Sequence, residues 1–390
     1  MRKFSAHRIY PVNSAYIPFG IVETADDGTI LNIRDNGGKP AEESGLEFYS
    51  GILVPGFINA HCHLELSHLK GLIPQQTGIT GFVSQVSQIR ASGENVIRQA
   101  AEAVDRLMYR EGISGAGDIS NNGITLTIKQ NSHIHYHTFI ELFGLNPETS
   151  KPRYDDACRL AQEFTRKGLS CSITPHAPYS VGIDLWEKLA ASTGLTGRIS
   201  IHHDESLEER ELLERRTGKM ADHFRQAGFD LDCLPAEAAE IYQLLGKYLP
   251  DSEWILVHNT VTDPYKGISD RKHGIYHVLC PRSNRYIESR LPDLSGFAAS
   301  GKIVCLGTDS MASNLSLSIF EEMRTVMESE PGIAFETVLN WATINGARAL
   351  GMEKTLGTIE PGKKPGLVHI PLFDWENNRL VSGSRSLRVI

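Results

Sequence analysis

The chain of 390 residues carries 39 Lys and Arg against 47 Asp and Glu, for a formal charge of −8 and a pI near 6.0. A nucleic-acid or anionic-membrane surface needs clustered positive charge, so this balance favours a small-molecule partner over either. With 41% hydrophobic and 22% charged residues the composition excludes disorder as the default, and the length suits a barrel of roughly 250 residues plus a smaller module.

Residues 1 to 54 hold short β-like runs (HRIYPV, YIPFGIVETAD, ILNIRD, LEFYSGILVPG) between Gly and Asn/Asp turn signals, which predicts a small β module. From Pro55 onward apolar runs of strand length alternate with amphipathic stretches, as a parallel sheet covered by crossover helices requires. Eight such runs follow in order: GFINAHCHLE, GISGAGDIS, IHYHTFIELFG, LSCSITPHA, GRISIHHDE, EWILVHNT, HVLCPRSN and KIVCLGTDS. Eight is the strand number of a TIM barrel, which is predicted over residues 55–357. Helices are expected between the runs, as one stretch over 84–111, over 154–167, and as two segments after the fifth strand. The tail over 358–390 (GTIEPGKKPGLVHI and beyond) returns to β texture and is expected to rejoin residues 1–54 as a β-sandwich module. No stretch approaches the roughly 18 apolar residues of a membrane helix, and the opening MRKFSAHRIYPVNSAYIPFG lacks a signal-peptide core, so a cytoplasmic location is expected. The six cysteines (Cys62, Cys158, Cys171, Cys233, Cys280, Cys305) form no CxxC pair and are expected to be reduced.

A barrel places its chemistry at the C-terminal ends of its strands, and that is where the polar residues gather. His61 and His63 end the first run as His-Cys-His, and alternate strand residues share a side, so both imidazoles can reach one metal ion. His202 ends the fifth run. Asp309 follows the apolar IVCLGT of the eighth, where an unpaired carboxylate would be costly. Three imidazoles and one carboxylate make a zinc-type donor set that leaves a position for water, whose pKa the ion would lower enough to give hydroxide near neutral pH. Asp309 is also placed to accept that water's proton. Glu205, three residues after His202, suits proton transfer to a ring nitrogen or leaving group. His258, after WILV of the sixth run, is either a hydrogen-bonding group beside the open metal position or a fourth protein ligand.

The segments PGFINAHCHLELS, SIHHDES, ILVHNT, CPRSN and GTDS resemble, in order and spacing, the barrel motifs of the amidohydrolase superfamily. Within it they are similar to the branch of cytosine, guanine and S-adenosylhomocysteine deaminases and chlorohydrolases. The match runs over roughly residues 50 to 365. It implies metal ligands at His61, His63, His202 and Asp309 and acid/base roles for Glu205 and His258. Binuclear members carry a bridging carboxylated lysine at the end of the fourth strand, whereas this strand reads SITPHAPYS, so a single divalent ion is implied. Zinc is the first expectation, and iron(II) suits the same donors.

PHAPYS resembles the segment by which adenosine-type deaminases touch substrate, which makes His176 a candidate contact. Glu65, Glu141, Arg282, Asn284 and Arg285 lie where a substrate tail could reach. HLELS is similar to the HLEF-type segment of aminofutalosine deaminases, whose substrate joins an aminopurine nucleoside to a carboxylated aromatic ring that an arginine could hold bidentately. The chain departs from the family where His203 and Asp204 stand between His202 and Glu205; strand alternation from Ile201 favours His202 over His203 as ligand. The expected activity is hydrolytic deamination of an aminopurine nucleoside or related N-heterocycle. A chlorohydrolase or cyclic amide hydrolase would use the same donors, and a non-catalytic barrel would not need them. A homodimer is left open.

Overall fold

The computed structural model describes residues 1–192, 196–267 and 273–390. Five strands precede residue 56: β1 (Arg2–Ile9), β2 (Ile17–Pro18), β3 (Ile21–Thr24), β4 (Ile30–Arg34) and β5 (Leu46–Pro55). The expected run of eight follows as β6 (Phe57–His63), β7 (Ile113–Ser120), β8 (His135–Leu142), β9 (Ser170–Pro175), β10 (Arg198–His203), β11 (Glu253–His258), β12 (Ile275–Leu279) and β13 (Ile303–Leu306), with the short β14 (Asp309–Ser310) continuing the eighth. All of these pair in parallel, in one sheet of order β14-β6-β7-β8-β9 and another of order β10-β11-β12-β13.

The sheets approach each other at two seams. At β9 and β10 the Thr174 hydroxyl accepts the Ser200 N–H (2.8 Å) and donates to the Ser200 carbonyl (2.6 Å), and the His202 N–H donates to the His176 carbonyl (2.9 Å). At the other seam the Thr308 N–H donates to the His61 carbonyl (2.9 Å). Gly307 permits this approach, because a Cβ there would lie 3.0 Å from the Cβ of His61.

Parallel strands are covered on both faces, so they read as unbroken apolar runs, and β6 is buried at every position. Covering helices explain the amphipathic stretches between. The helix Pro147–Arg166 starts where its sequence says it should, with Asn146 accepting the Glu148 N–H and proline at the first helical position. The stretch 84–111 is two helices, Gly78–Ile89 and Glu94–Arg110, because the Ala91-Ser92-Gly93 segment supplies no helical continuity and Gly93 is extended. The link after β10 carries three α-helices, Leu207–Arg215, Lys219–Gln226 and Ile241–Tyr248, rather than two. The first ends where Arg216 turns left-handed.

Late strands β15 (Leu367–Ile370), β16 (Phe373–Asp374), β17 (Arg379–Leu380) and β18 (Leu387–Arg388) return to the beginning of the chain. β15 runs antiparallel to β5, from Leu367 opposite Pro55 to Ile370 opposite Ile52, in a sheet of order β18-β15-β5-β1-β3-β4 with β2 on β1. Phe4, Ile9, Val22, Leu53, Ile359 and Leu367 share one buried cluster. These strands form one seven-stranded sheet, and β16 and β17 pair separately beside it. All six cysteines are unpaired. Among the described residues no helix is long and apolar enough to cross a membrane.

His137 on β8 is buried, with its ring nitrogens 2.8 Å from the Ser170 hydroxyl and 3.0 Å from that of Ser172. Burial, aided by the positive charges of Arg198 and Lys129, holds its pKa down at about 3. A histidine whose pKa falls on folding stabilises the fold above its unfolded value of roughly 6.5 and withdraws that stability as pH drops from there toward 3. In His137→Asn the slope of unfolding free energy against pH between 6 and 4 should therefore fall, by up to about 1.4 kcal/mol per pH unit. Urea titrations at each pH measure it, and an unchanged slope refutes it.

Candidate active site

The parallel register brings the ends of β6, β10, β11 and β14 level, and their terminal polar residues meet. The Nε2 atoms of His61 and His63 are 3.2 Å apart, and both face Asp309 Oδ1, at 3.7 and 3.3 Å. Ser283 and Ser313 donate to Asp309 Oδ2 at 2.7 and 2.5 Å, which fixes the carboxylate and leaves Oδ1 to the imidazoles. His202 donates its Nδ1 proton to the His176 carbonyl at 2.8 Å, so its Nε2 is the free lone pair. One ligand atom each from His61, His202, His258 and Asp309 lies within 4.8 Å of the others. His63 joins this group through His61 and Asp309, so five side chains converge.

Burial dominates the electrostatics. It depresses the pKa of His63 and His258 well below the usual imidazole range and that of His202 to about 3. Burial also pushes Asp309 up, but the facing imidazoles of His61, His63 and His258 outweigh it and hold the carboxyl well below its ordinary value. Glu205 has no such support. Burial and then the negative charge of Asp309 push it well above the carboxylate range. Burial thus disfavours the protonated forms of His63, His202 and His258 beside an ionised Asp309, which is the arrangement that divalent metal binding requires.

His258 is set by its neighbours on both ring nitrogens. The Asn284 amide nitrogen lies 3.0 Å from Nδ1 and can only donate, so Nδ1 accepts and the neutral ring carries its proton on Nε2, 3.6 Å from Glu205 Oε1. Asp204, His258, Asn259 and Asp309 all have left-handed backbones, with φ of 50°, 76°, 52° and 57°. Each such non-glycine residue is held at a cost of about 1–3 kcal/mol, and all four stand at strand ends around this cluster.

A cavity of about 270 Å³ opens over the cluster, lined at its floor by His63, His202, Glu205, His258 and Asp309. His176, 2.7 Å from the Ser180 hydroxyl through Nδ1, and Tyr179 form one wall. Ile79, Phe82, Val83 and Val86 of the helix Gly78–Ile89, with Phe224 and Phe229, form an apolar roof. Glu208 ties the roof together, accepting from the Thr80 hydroxyl (2.5 Å) and pairing with Lys219 (3.1 Å). A second recess of about 310 Å³ shares Arg90, Asn121, Glu141 and Phe143 with the cavity and adds Arg153.

Of the residues singled out in the sequence, His61, His63, His202, Glu205, His258, Asp309 and His176 are brought together. Glu65 and Glu141 line the cavity: Glu65 bonds Arg90 (3.2 Å) and the Asn121 N–H (3.1 Å), and Glu141 accepts from the Asn121 side chain (3.0 Å). Burial raises the pKa of Glu65 to about 7, opposed by the Asn121 N–H and Arg90. Arg282 and Arg285 do not line the cavity. They bond the hydroxyls of Ser316 and Ser329. Asn284 serves His258 instead of reaching the cavity. His203 alternates away from His202 and sits 3.6 Å from Asp204, which is held by Arg210 (2.6 Å) and Thr262 (2.8 Å). Arg90, Arg153 and the roof phenylalanines were missed, since nothing in their sequence context marks them.

The Amidohydrolase family model matches residues 52–386. The chain belongs to the amidohydrolase family. An adenosine deaminase of Helicobacter pylori is 25% identical over 82% of the chain and 79% of its own length. A 5-methylthioadenosine/S-adenosylhomocysteine deaminase of Teredinibacter turnerae is 28% identical over 83% of the chain and 72% of its own. Among solved structures, Helicobacter pylori aminofutalosine deaminase in complex with methylthio-coformycin superimposes with a TM-score of 0.78 at 23% identity, covering 96% of this chain and 93% of that one. The two chains share one fold.

The His258 tautomer is open to direct measurement. Long-range ¹⁵N–¹H spectra should show the Nε2–H form near neutral pH. Asn284→Asp, which replaces the donor by an acceptor of the same size, should switch it to Nδ1–H. An Nδ1–H ring in the parent protein would contradict the assignment.

Proposed function

We propose that the protein is a metal-dependent hydrolytic deaminase of an aminopurine nucleoside extended at its 5′ end. The observation that carries this reading is the convergence of His61, His202, His258 and Asp309, with His63 against His61 and Asp309, beneath a cavity that also holds Glu205. The two parallel sheets are read as one closed barrel over 55–357, with 1–54 and 358–390 as its β module, in a cytoplasmic enzyme.

His61, His63, His202 and Asp309 would hold one divalent ion, zinc by its taste for imidazole and carboxylate. When bound, the ion supplies a water activated for attack at neutral pH. The balance of the reaction is simple: water adds to the ring carbon bearing the amino group, the exocyclic C–N bond breaks, and ammonia leaves a ring carbonyl. Glu205 takes one proton from the water and passes it to the ring nitrogen, then takes the remaining hydroxyl proton as the ring carbonyl forms and passes it to the departing amine. Because its proton sits on Nε2, His258 donates to the oxygen as charge develops there. Its role is therefore read as hydrogen bonding and not as a ligand. His176 and Tyr179 flank the heterocycle. The apolar roof excludes water, and the adjoining recess, with Arg90 and Arg153 on its wall, takes the extension and suits an anionic end. These arginines replace Arg282 and Arg285 in that role.

Elemental analysis should find about one divalent ion per chain, since the family's bridging lysine is missing. His202→Ala, His63→Ala and Asp309→Asn should lose metal and turnover together, whereas Glu205→Gln and His258→Ala should keep the metal and lose turnover by roughly a hundredfold or more. Loss of metal in His258→Ala would move that residue into the ligand set. Two tightly held ions would overturn the single-metal reading.

A panel of aminopurines, aminopyrimidines and aminopurine nucleosides assayed for ammonia release tests the reaction. The expected order places 5′-extended adenosine-like compounds above adenosine, and both above free cytosine and guanine. Hydrolysis of chlorinated triazines or cyclic amides without ammonia release from any panel member would reject the deaminase reading.

A further inference from the structure

Beneath the turn that follows His63 lies a buried ion pair that reaches neither the cavity nor the solvent. Asp118 on β7 and Lys129 on the short helix Leu126–Asn131 meet at 2.6 Å, and both side chains are fully buried. The ammonium group is satisfied three times, by Asp118 Oδ2, the Ser120 hydroxyl (2.9 Å) and the Thr138 hydroxyl (3.0 Å). Asp118 Oδ1 accepts the Leu64 N–H at 2.7 Å. Leu64 is the residue between His63 and Glu65. Glu65 is tied to the same strand end, because its Oε2 accepts the Asn121 N–H. Two hydrogen bonds from the end of β7 thus bracket the backbone that carries a proposed metal ligand and a cavity carboxylate.

Ion pairs buried this deeply are often no more stable than well-packed apolar residues, so stability alone does not account for one here. What an apolar pair could not supply is an acceptor for the Leu64 amide. We propose that Asp118 is a positioning residue for the metal site, with Lys129 holding its carboxylate in place, and that the acceptor atom rather than the charge is the part the site uses. The inference rests on the metal-site reading above.

Removing either partner alone would strand a buried charge, so the test compares two double variants. Asp118→Asn with Lys129→Met is uncharged but keeps an oxygen facing the Leu64 amide. Asp118→Leu with Lys129→Met is uncharged and lacks it. Three readouts apply: loss of zinc to a competing chelator, hydrogen exchange of the Leu64 amide, and separate kcat and KM for ammonia release.

The Asn variant should stay within about threefold of the parent in all three. The Leu variant should lose zinc and kcat by roughly tenfold to a hundredfold, the range for groups that orient a metal ligand. Its Leu64 amide should exchange faster, while KM and the melting temperature move little. Equal behaviour of two folded doubles overturns the proposal, and so does a folded Asn variant that loses the metal, whether or not the Leu variant folds. A parent protein that binds no zinc and releases no ammonia defeats the metal-site reading instead, which is a different result from an active parent with indistinguishable doubles.

Discussion

A carboxylate buried at the floor of a cavity must find positive charge or hydrogen-bond donors, and Asp309 is the point at which this molecule meets that demand. Two serine hydroxyls hold one oxygen, and the other faces imidazoles from β6. Those imidazoles come within reach only because β14 pairs with β6 in parallel at the register Asp309 opposite Cys62 and Ser310 opposite His63. The arrangement of the strands and the protonation of the site are thus one problem. Shifting any of these strands by a residue would turn its terminal side chain to the opposite side and leave a charge unpaired.

Much of this was legible in the sequence for a physical reason. Strands covered on both faces are continuous apolar runs, and a polar residue closing such a run has to be explained. His61, His63, His202, His258 and Asp309 all declared themselves in that way. Period two also separated His202 from His203, and the structure places His203 against Asp204, outside the cluster. Helix boundaries were less clear: the break at Ala91-Ser92-Gly93 divides what composition alone presents as one amphipathic stretch.

The cavity wall was the least legible part, because its members come from segments far apart in the chain. Arg282 and Arg285 looked suitable because they follow a strand end. Their direction is set by the helix Pro281–Glu288, which turns them toward Ser316 and Ser329 while Ser283 and Asn284 face the site. Arg90 follows the helix Gly78–Ile89 and reaches the cavity only through the packing of that helix, so no local pattern identifies it. Sequence periodicity reports which face of an element is buried. It does not report what is buried against it.

The pairing of β15 with β5 has a consequence for how the chain is made. β1, β3, β4 and β5 lie within 55 residues of one another and can pair before the strands that follow them are made. The remaining edge of β5, with Ile52, Leu53 and Val54, stays uncovered until residues 367–370 have been synthesised. For most of translation the nascent protein therefore presents an open apolar strand edge, which is the feature that recruits unwanted partners. That exposure falls on the sheet joined by β5 and β15 rather than on the active site.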